Sequence, residues 1–190
     1  MNLNTIFFIG PQGSGKGTQA RLLAKKLGFF YWEMGGILRE VAAQNTELGR
    51  NVKSLIDNGV LLDDNLLLQV VKSRLSQIPS SQGVIFDGIP RRLGQAKFLL
   101  GYLKEQGRSS FTTMFIDIPR GESIGRLLKR AENEDRKDDT REGIETRLLY
   151  YENDTVPVLE FLRNQTIFFE INGMPSVEEV TKEINKELGL

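Results

Sequence analysis

Gly10-Pro11-Gln12-Gly13-Ser14-Gly15-Lys16-Gly17-Thr18 is the stretch that decides the fold. The apolar run Thr5–Ile9 leads into it. Ala20, Leu23, Ala24 and Leu27 follow on one stripe of an amphipathic segment. A strand, a glycine-rich turn and a helix in this order form the context of a phosphate-binding loop. The glycines let the backbone curl so that successive N–H groups ring an anion. The helix adds its free N–H groups and the positive end of its dipole, and Lys16 adds a mobile cation. A glycine cluster by itself is more often an ordinary turn; the spacing, the Gly-Lys pair and the flanks together point to phosphate. Gly17 stands where such loops usually carry a Ser or Thr whose hydroxyl binds magnesium, and the hydroxyl comes one position later at Thr18.

The composition narrows the chemistry. The chain has 190 residues, enough for one substantial core, and its apolar and charged fractions are those of a soluble globular protein. Without cysteine, disulfides and thiolate metal sites are excluded; without histidine, so are Ser-His and Cys-His nucleophile systems. Chemistry must rest on Lys, Arg, carboxylates or a bound metal. Phosphoryl transfer to an ionised phosphate fits, because its nucleophile has no proton to lose. A formal net charge of zero gives no argument for nucleic acid. No stretch reaches the length of a membrane span, and the N-terminus shows no basic region or cleavage site, so the expected location is cytoplasmic.

Along the chain, Phe29–Trp32 reads as a second strand. Glu33-Met34-Gly35-Gly36 reads as a turn into a helix beginning near Ile37, and a second helix covers Leu48–Asp57, stopped at Asn58-Gly59. Asp63 or Asp64 caps a helix that runs to about Gln77. Gly83–Asp87 is a buried strand ending in a carboxylate, Arg92–Gln106 a helix, Thr112–Ile118 a strand and Glu122–Arg130 a helix. The charged run Ala131–Asp139 reads as a solvated loop. Thr140–Arg163 reads as a long helix bent near Pro157, Thr166–Ile171 as the last strand, and Ser176–Leu188 as a helix opened by a capping box. Five strands alternating with helices imply an α/β fold: a parallel sheet covered on both faces, binding ligands at the carboxyl ends of its strands. The glycine loop and Asp87 would meet there.

Lys16, Arg39, Arg91, Arg126, Arg130, Arg136 and Arg147 are scattered, mostly at strand ends, helix starts or the charged run. Any one of them is most simply a surface cation in a weak ion pair. Gathered around two phosphates they would make a strong field, and planar guanidinium groups suit phosphate oxygens.

The chain resembles the adenylate kinase branch of the nucleoside monophosphate kinases. The resemblance rests on Gly13–Gln19; Arg39; Asp87-Gly88-Ile89-Pro90-Arg91 with Gln95; Arg126 and Arg130; Arg136-Lys137-Asp138-Asp139; and Arg147 before Tyr150, and it spans almost the whole chain. It implies a P-loop NTPase-like domain with a core of 1–32, 63–130 and 140–190, a mobile monophosphate-binding segment 33–62 and a short mobile lid 131–139. The implied reaction is transfer of the ATP γ-phosphoryl group to AMP, with Mg2+ and without zinc, by a monomer whose partners are small nucleotides, not nucleic acid or membrane. Gly13, Ser14, Gly15, Lys16, Gly17 and Thr18 would hold the ATP phosphates, with Arg126, Arg130 and Pro175 toward the donor base. Asp87 would hold Mg2+ through water. Met34, Arg39, Val60, Leu61, Leu62, Gly88, Ile89, Pro90, Arg91 and Gln95 would form the acceptor site. Lys16, Arg91, Arg126, Arg130, Arg136 and Arg147 would carry catalysis, the last two also reaching the acceptor.

Glu33-Met34-Gly35-Gly36 departs from the family's Ser-Thr-Gly-Asp at this place. A Thr hydroxyl that touches the acceptor base becomes Met34, a carboxylate near the phosphates is lost at Gly36, and a new charge enters at Glu33. Gln12 and Ile89 replace a Pro and a Phe. Gln95 favours a purine, with AMP the first choice; the alternatives are a kinase for another monophosphate (GMP, CMP, UMP or a deoxynucleotide) or an ATP-binding regulatory module with weak transfer. GTP switches and motor ATPases fit less well, because they keep the hydroxyl directly after the lysine.

Overall fold

The computed structural model describes residues 3–57, 62–133 and 140–190. Its centre is a parallel sheet of β1 (Thr5–Ile9), β2 (Phe30–Glu33), β3 (Val84–Asp87), β4 (Phe111–Asp117) and β5 (Ile167–Asn172), in the order β2-β3-β1-β4-β5. The inner strands β1, β3 and β4 are buried on both faces, and β1 and β3 read as near-continuous apolar runs. In β1, Phe7 and Ile9 face one layer, Ile6 and Phe8 the other. The first layer is closed by α2 (Met34–Ala42), α3 (Glu47–Asp57), α4 (Asp64–Leu75), α5 (Leu93–Glu105) and α8 (Val156–Gln165). The second is closed by α1 (Lys16–Leu27) and α9 (Val177–Leu188), through Ala20, Leu23, Ala24, Val180, Ile184 and Leu188. The remaining pair, α6 (Arg120–Asn133) and α7 (Arg141–Tyr150), shares a smaller cluster of Leu127, Ile144 and Leu148. The order places β3 beside β1, with Phe8 in register with Asp87. The glycine loop and the Asp87 carboxylate therefore emerge side by side.

Local signals fix most element ends. Asp63 caps α4 by accepting from the Leu66 N–H at 2.9 Å. Ser176 and Glu179 form the capping box of α9.

Two expectations are corrected. Glu33–Gly36 is not a free turn: β2 runs to Glu33, and α2 starts at Met34 without an intervening loop. Two glycines suggested a turn, but Ile37 and Val41 bury one face of this segment and pull its first turn into the helix. The helix α6 continues through Asn133 into the run expected to be a loop, since nothing in Ala131-Glu132-Asn133 breaks it. The disturbance expected near Pro157 in the long helix after Thr140 is present as one π turn, Tyr151–Thr155, in which the Val156 N–H bonds to the Tyr151 carbonyl. Pro157 has no N–H to give and its ring crowds the preceding turn, so the ladder slips by one residue. The expected stop at Asn58-Gly59 and the rest of the charged run lie outside the described residues.

The packing of α2 against α3 depends on Gly49. A β-carbon there would stand 2.3 Å from the Gln44 carbonyl oxygen and 2.7 Å from that of Val41. Backbone cannot yield as a side chain can. Gly49→Ala is expected to destabilise the fold by about 1–3 kcal/mol and lower Tm by roughly 3–10 °C in calorimetry; an unchanged Tm would contradict this packing.

Candidate active site

The loop between β1 and α1 owes its shape to glycine. Gly13 and Gly15 have φ of 83° and 86°, the left-handed region that other residues rarely enter, and Gly15 forms the start of α1 without a side-chain cap. The first N–H groups of α1 thus remain directed at whatever fills the loop. Its far wall is α6: the Ser123 hydroxyl, fully buried, donates to the Gln12 carbonyl, and a β-carbon on Gly13 would lie 3.0 Å from the Ser123 carbonyl oxygen. The Ser14 hydroxyl is buried in the loop and has no hydrogen-bond partner among the described residues.

Lys16 folds back so that its Nζ donates to the Pro11 carbonyl at 3.1 Å. Burial pushes its ammonium down to about 8; Asp87 works against that shift, while Arg91, Arg130 and Arg147 add to it. Four cations and one carboxylate therefore share one small region at the ends of β1 and β3. Arg91 is likewise held below its ordinary value, by burial first and then by Arg147, with Asp87 opposing. Its Nε donates to the Gly88 carbonyl at 2.9 Å.

Asp87 is buried at the end of β3 and accepts at Oδ2 from the Tyr31 hydroxyl at 2.9 Å. Burial, then the charge of Asp87, push the Tyr31 phenol up, so it stays a donor. Gly17 completes the packing: a β-carbon there would stand 3.0 Å from Asp87 Oδ2. A side chain directly after Lys16 would crowd the Asp87 carboxylate. Neither Tyr31 nor Ser123 stood out in the sequence. Tyr31 could have been found from strand alternation, since it is in register with Ile85, two residues before Asp87; Ser123 left no signal.

Among the described residues expected on the acceptor side, Arg39, Gln95 and Met34 have internal partners. Arg39 Nη2 lies 3.6 Å from Glu33 Oε1. The buried Gln95 accepts from the Arg91 N–H at 2.9 Å and donates to Asp64 Oδ1 at 2.8 Å. Met34 is also buried, and the Trp32 indole N–H donates to its sulfur at 3.4 Å. Ile89 and Pro90 are buried beneath the loop that carries Gly88 and Arg91, and Leu62 packs on the core. Arg126 stands apart from the Lys16 group. It pairs with Glu122 at 2.6 Å and donates to the carbonyls of Gly173 and Met174 at 2.9 and 3.4 Å, beside Pro175. Val60, Leu61 and Arg136 lie outside the described residues.

A group of cations at the carboxyl ends of β1 and β3, beside a glycine loop and one carboxylate, suits polyphosphate. The adenylate kinase family model matches residues 8–167. The chain belongs to the adenylate kinase family. Among its adenylate kinase relatives, that of Phocaeicola vulgatus is 36% identical over 182 residues, covering 96% of each chain. Adenylate kinase 1 of a Nostoc species is 38% identical, over 98% of this chain and 100% of its own. The Thermus thermophilus adenylate kinase is 36% identical over 97% of each. As a member of the adenylate kinase family, the protein is a phosphotransferase.

The lowered Lys16 value has a definite sign. The folded protein gives up this proton near pH 8, the unfolded chain only near 10.5, so burying the charge costs stability below pH 8 and the cost is relieved as pH rises between the two values. In heteronuclear NMR the Lys16 ammonium is expected to titrate near pH 8, and Asp87→Asn to lower that midpoint further by removing the attracting carboxylate. A midpoint near 10.5 would contradict the buried placement.

Proposed function

We propose that the protein transfers the terminal phosphoryl group of ATP to AMP, giving two ADP. The observation that carries this proposal is the grouping of Lys16, Asp87, Arg91, Arg130 and Arg147 beside the glycine loop. The name shared by its relatives supports AMP over another acceptor and over a module that binds ATP without transfer.

In this account the N–H groups of residues 13–18 cradle the donor phosphates, and Lys16 follows the transferring group. Arg91 and Arg39 clamp the acceptor phosphate. Arg130, Arg147 and Arg136 spread the charge of the transition state, while Arg126 and Pro175 stand toward the donor base. Gln95, Met34, Gly88, Ile89, Pro90 and the backbone of Val60, Leu61 and Leu62 border the acceptor base. The acceptor phosphate is already ionised, so no side chain need remove a proton, in keeping with a chain that has no histidine. Positioning and charge neutralisation supply the rate. Segments 33–62 and 131–139 close over the two nucleotides and exclude water, which would otherwise consume the donor.

Magnesium suits the donor set. No group of three or more His, Asp or Glu side chains that could hold a metal occurs among the described residues. Asp87, oriented by Tyr31, offers one hard oxygen site of the kind Mg2+ uses with retained waters and phosphate oxygens. When bound, Mg2+ would screen the phosphate charge; Asp87 would hold it through water. One chain carries every residue invoked, so the proposed working unit is a cytoplasmic monomer with small nucleotides as its partners. No helix among the described residues is long and apolar enough to cross a membrane.

A coupled assay of ADP formation is expected to give turnover with AMP well above that with GMP, CMP or UMP. Lys16→Ala is expected to lower kcat by roughly 10²–10³-fold, the usual loss when a donor to developing charge is removed. Folded protein without turnover on any acceptor, or a fully active Lys16→Ala variant, would overturn the proposal.

A further inference from the structure

Glu33 ends β2 directly beside Asp87, its partner in register on β3. It occupies the N-cap position of α2 in extended conformation, yet its side chain makes no capping hydrogen bond. Instead the carboxylate lies over the first turn of the helix. A β-carbon on Gly35 would stand 3.4 Å from Glu33 Oε1 and 3.4 Å from Arg39 Nη1; one on Gly36 would stand 3.3 Å from Glu33 Oε2. The Glu33 and Arg39 heads thus fill the space that two absent side chains leave. Glycine in a helix costs about 0.5–1 kcal/mol relative to alanine. Two in succession form a weak first turn whose benefit is room for this pair.

The pair is also easily opened. The two side chains are 43% and 68% exposed, and their charged atoms are 3.6 Å apart. Exposed pairs of this kind contribute at most about 1 kcal/mol. A phosphate dianion arriving at Arg39 brings more charge and better-matched oxygens than the carboxylate does.

We propose that Glu33 is a built-in anion that occupies Arg39 until the phosphate of the acceptor nucleotide displaces it, so that Glu33 sets the affinity for the acceptor. This rests on Arg39 being the acceptor clamp. The carboxylate is a competitor in the empty protein and a like charge near the dianion in the loaded one. Both effects weaken acceptor binding and leave the donor site, on the far side of Asp87, untouched.

The test is a comparison of wild type, Glu33→Gln, Arg39→Ala and the double variant, reading AMP affinity by calorimetry and KM for AMP and ATP by coupled assay. Glu33→Gln is expected to tighten AMP by about 2–6-fold in both readouts, the range an exposed pair of up to about 1 kcal/mol allows, with KM for ATP within twofold of wild type. Most of that gain is expected to vanish in the Arg39→Ala background. Glu33→Asp, one methylene shorter, is expected to lie between wild type and Glu33→Gln, and it serves as the test if Glu33→Gln folds poorly. Unchanged AMP affinity would overturn the proposal, as would weaker binding, which would make Glu33 a direct contact of the nucleotide. If wild type turns over AMP and the variants do not differ, only this inference falls; if wild type neither binds nor turns over AMP, the proposed function falls with it.

Discussion

Lys16 carries a charge in a place where burial works against it, and the surrounding structure exists to hold it there. Its ammonium is pulled down to about 8, and three arginines push the same way. Asp87 provides the attraction that keeps it charged at neutral pH. Like charges held close together are poor for stability and well suited to binding a polyanion, since an arriving phosphate relieves their mutual repulsion. The sheet order serves this purpose. With β3 beside β1, Asp87 arrives next to the glycine loop, and Gly17 leaves just the room the carboxylate needs.

Around that centre the two halves of the site differ. The proposed donor side is a loop with positive φ at Gly13 and Gly15, the N-terminus of α1, and a wall at Ser123. The proposed acceptor side is a set of polar groups that already hold one another, with Arg39 on Glu33 and Gln95 on Asp64 and the Arg91 N–H. A ligand entering there exchanges partners rather than filling unsatisfied groups. Each exchange is worth little on its own, because a typical hydrogen bond contributes only about 0.5–1.5 kcal/mol net. Affinity for the acceptor therefore depends on how loosely the internal partners are held.

The parts of this architecture that could be read along the chain are those written by local chemistry. The loop follows from glycine spacing between an apolar strand and an amphipathic helix, and the Asp63 and Ser176 caps from side chains that bond to nearby backbone. What escaped is written across distance. Tyr31 reaches Asp87 over 56 positions and Ser123 reaches Gln12 over 111, and neither residue type is distinctive for such a role. The Glu33–Gly36 segment misled because glycine propensity favours a turn, whereas the burial of Ile37 and Val41 decides for helix. The π turn at Tyr151–Thr155 shows the reverse case: Pro157 rightly marked a disturbance, but the ladder absorbs it in the turn before the ring.

The central claim is that a donor site and an acceptor site face each other across the Lys16–Asp87–Arg91 group. A molecule with two adenosines joined through a chain of phosphates should span both, and linking two ligands raises affinity only where geometry lets both engage. Calorimetry is the most direct test. The account predicts one molecule bound per chain, tighter than ATP or AMP alone, and weakened when either nucleotide is present in excess. Binding that ATP displaces and AMP does not would show that only one site exists, and would contradict the account.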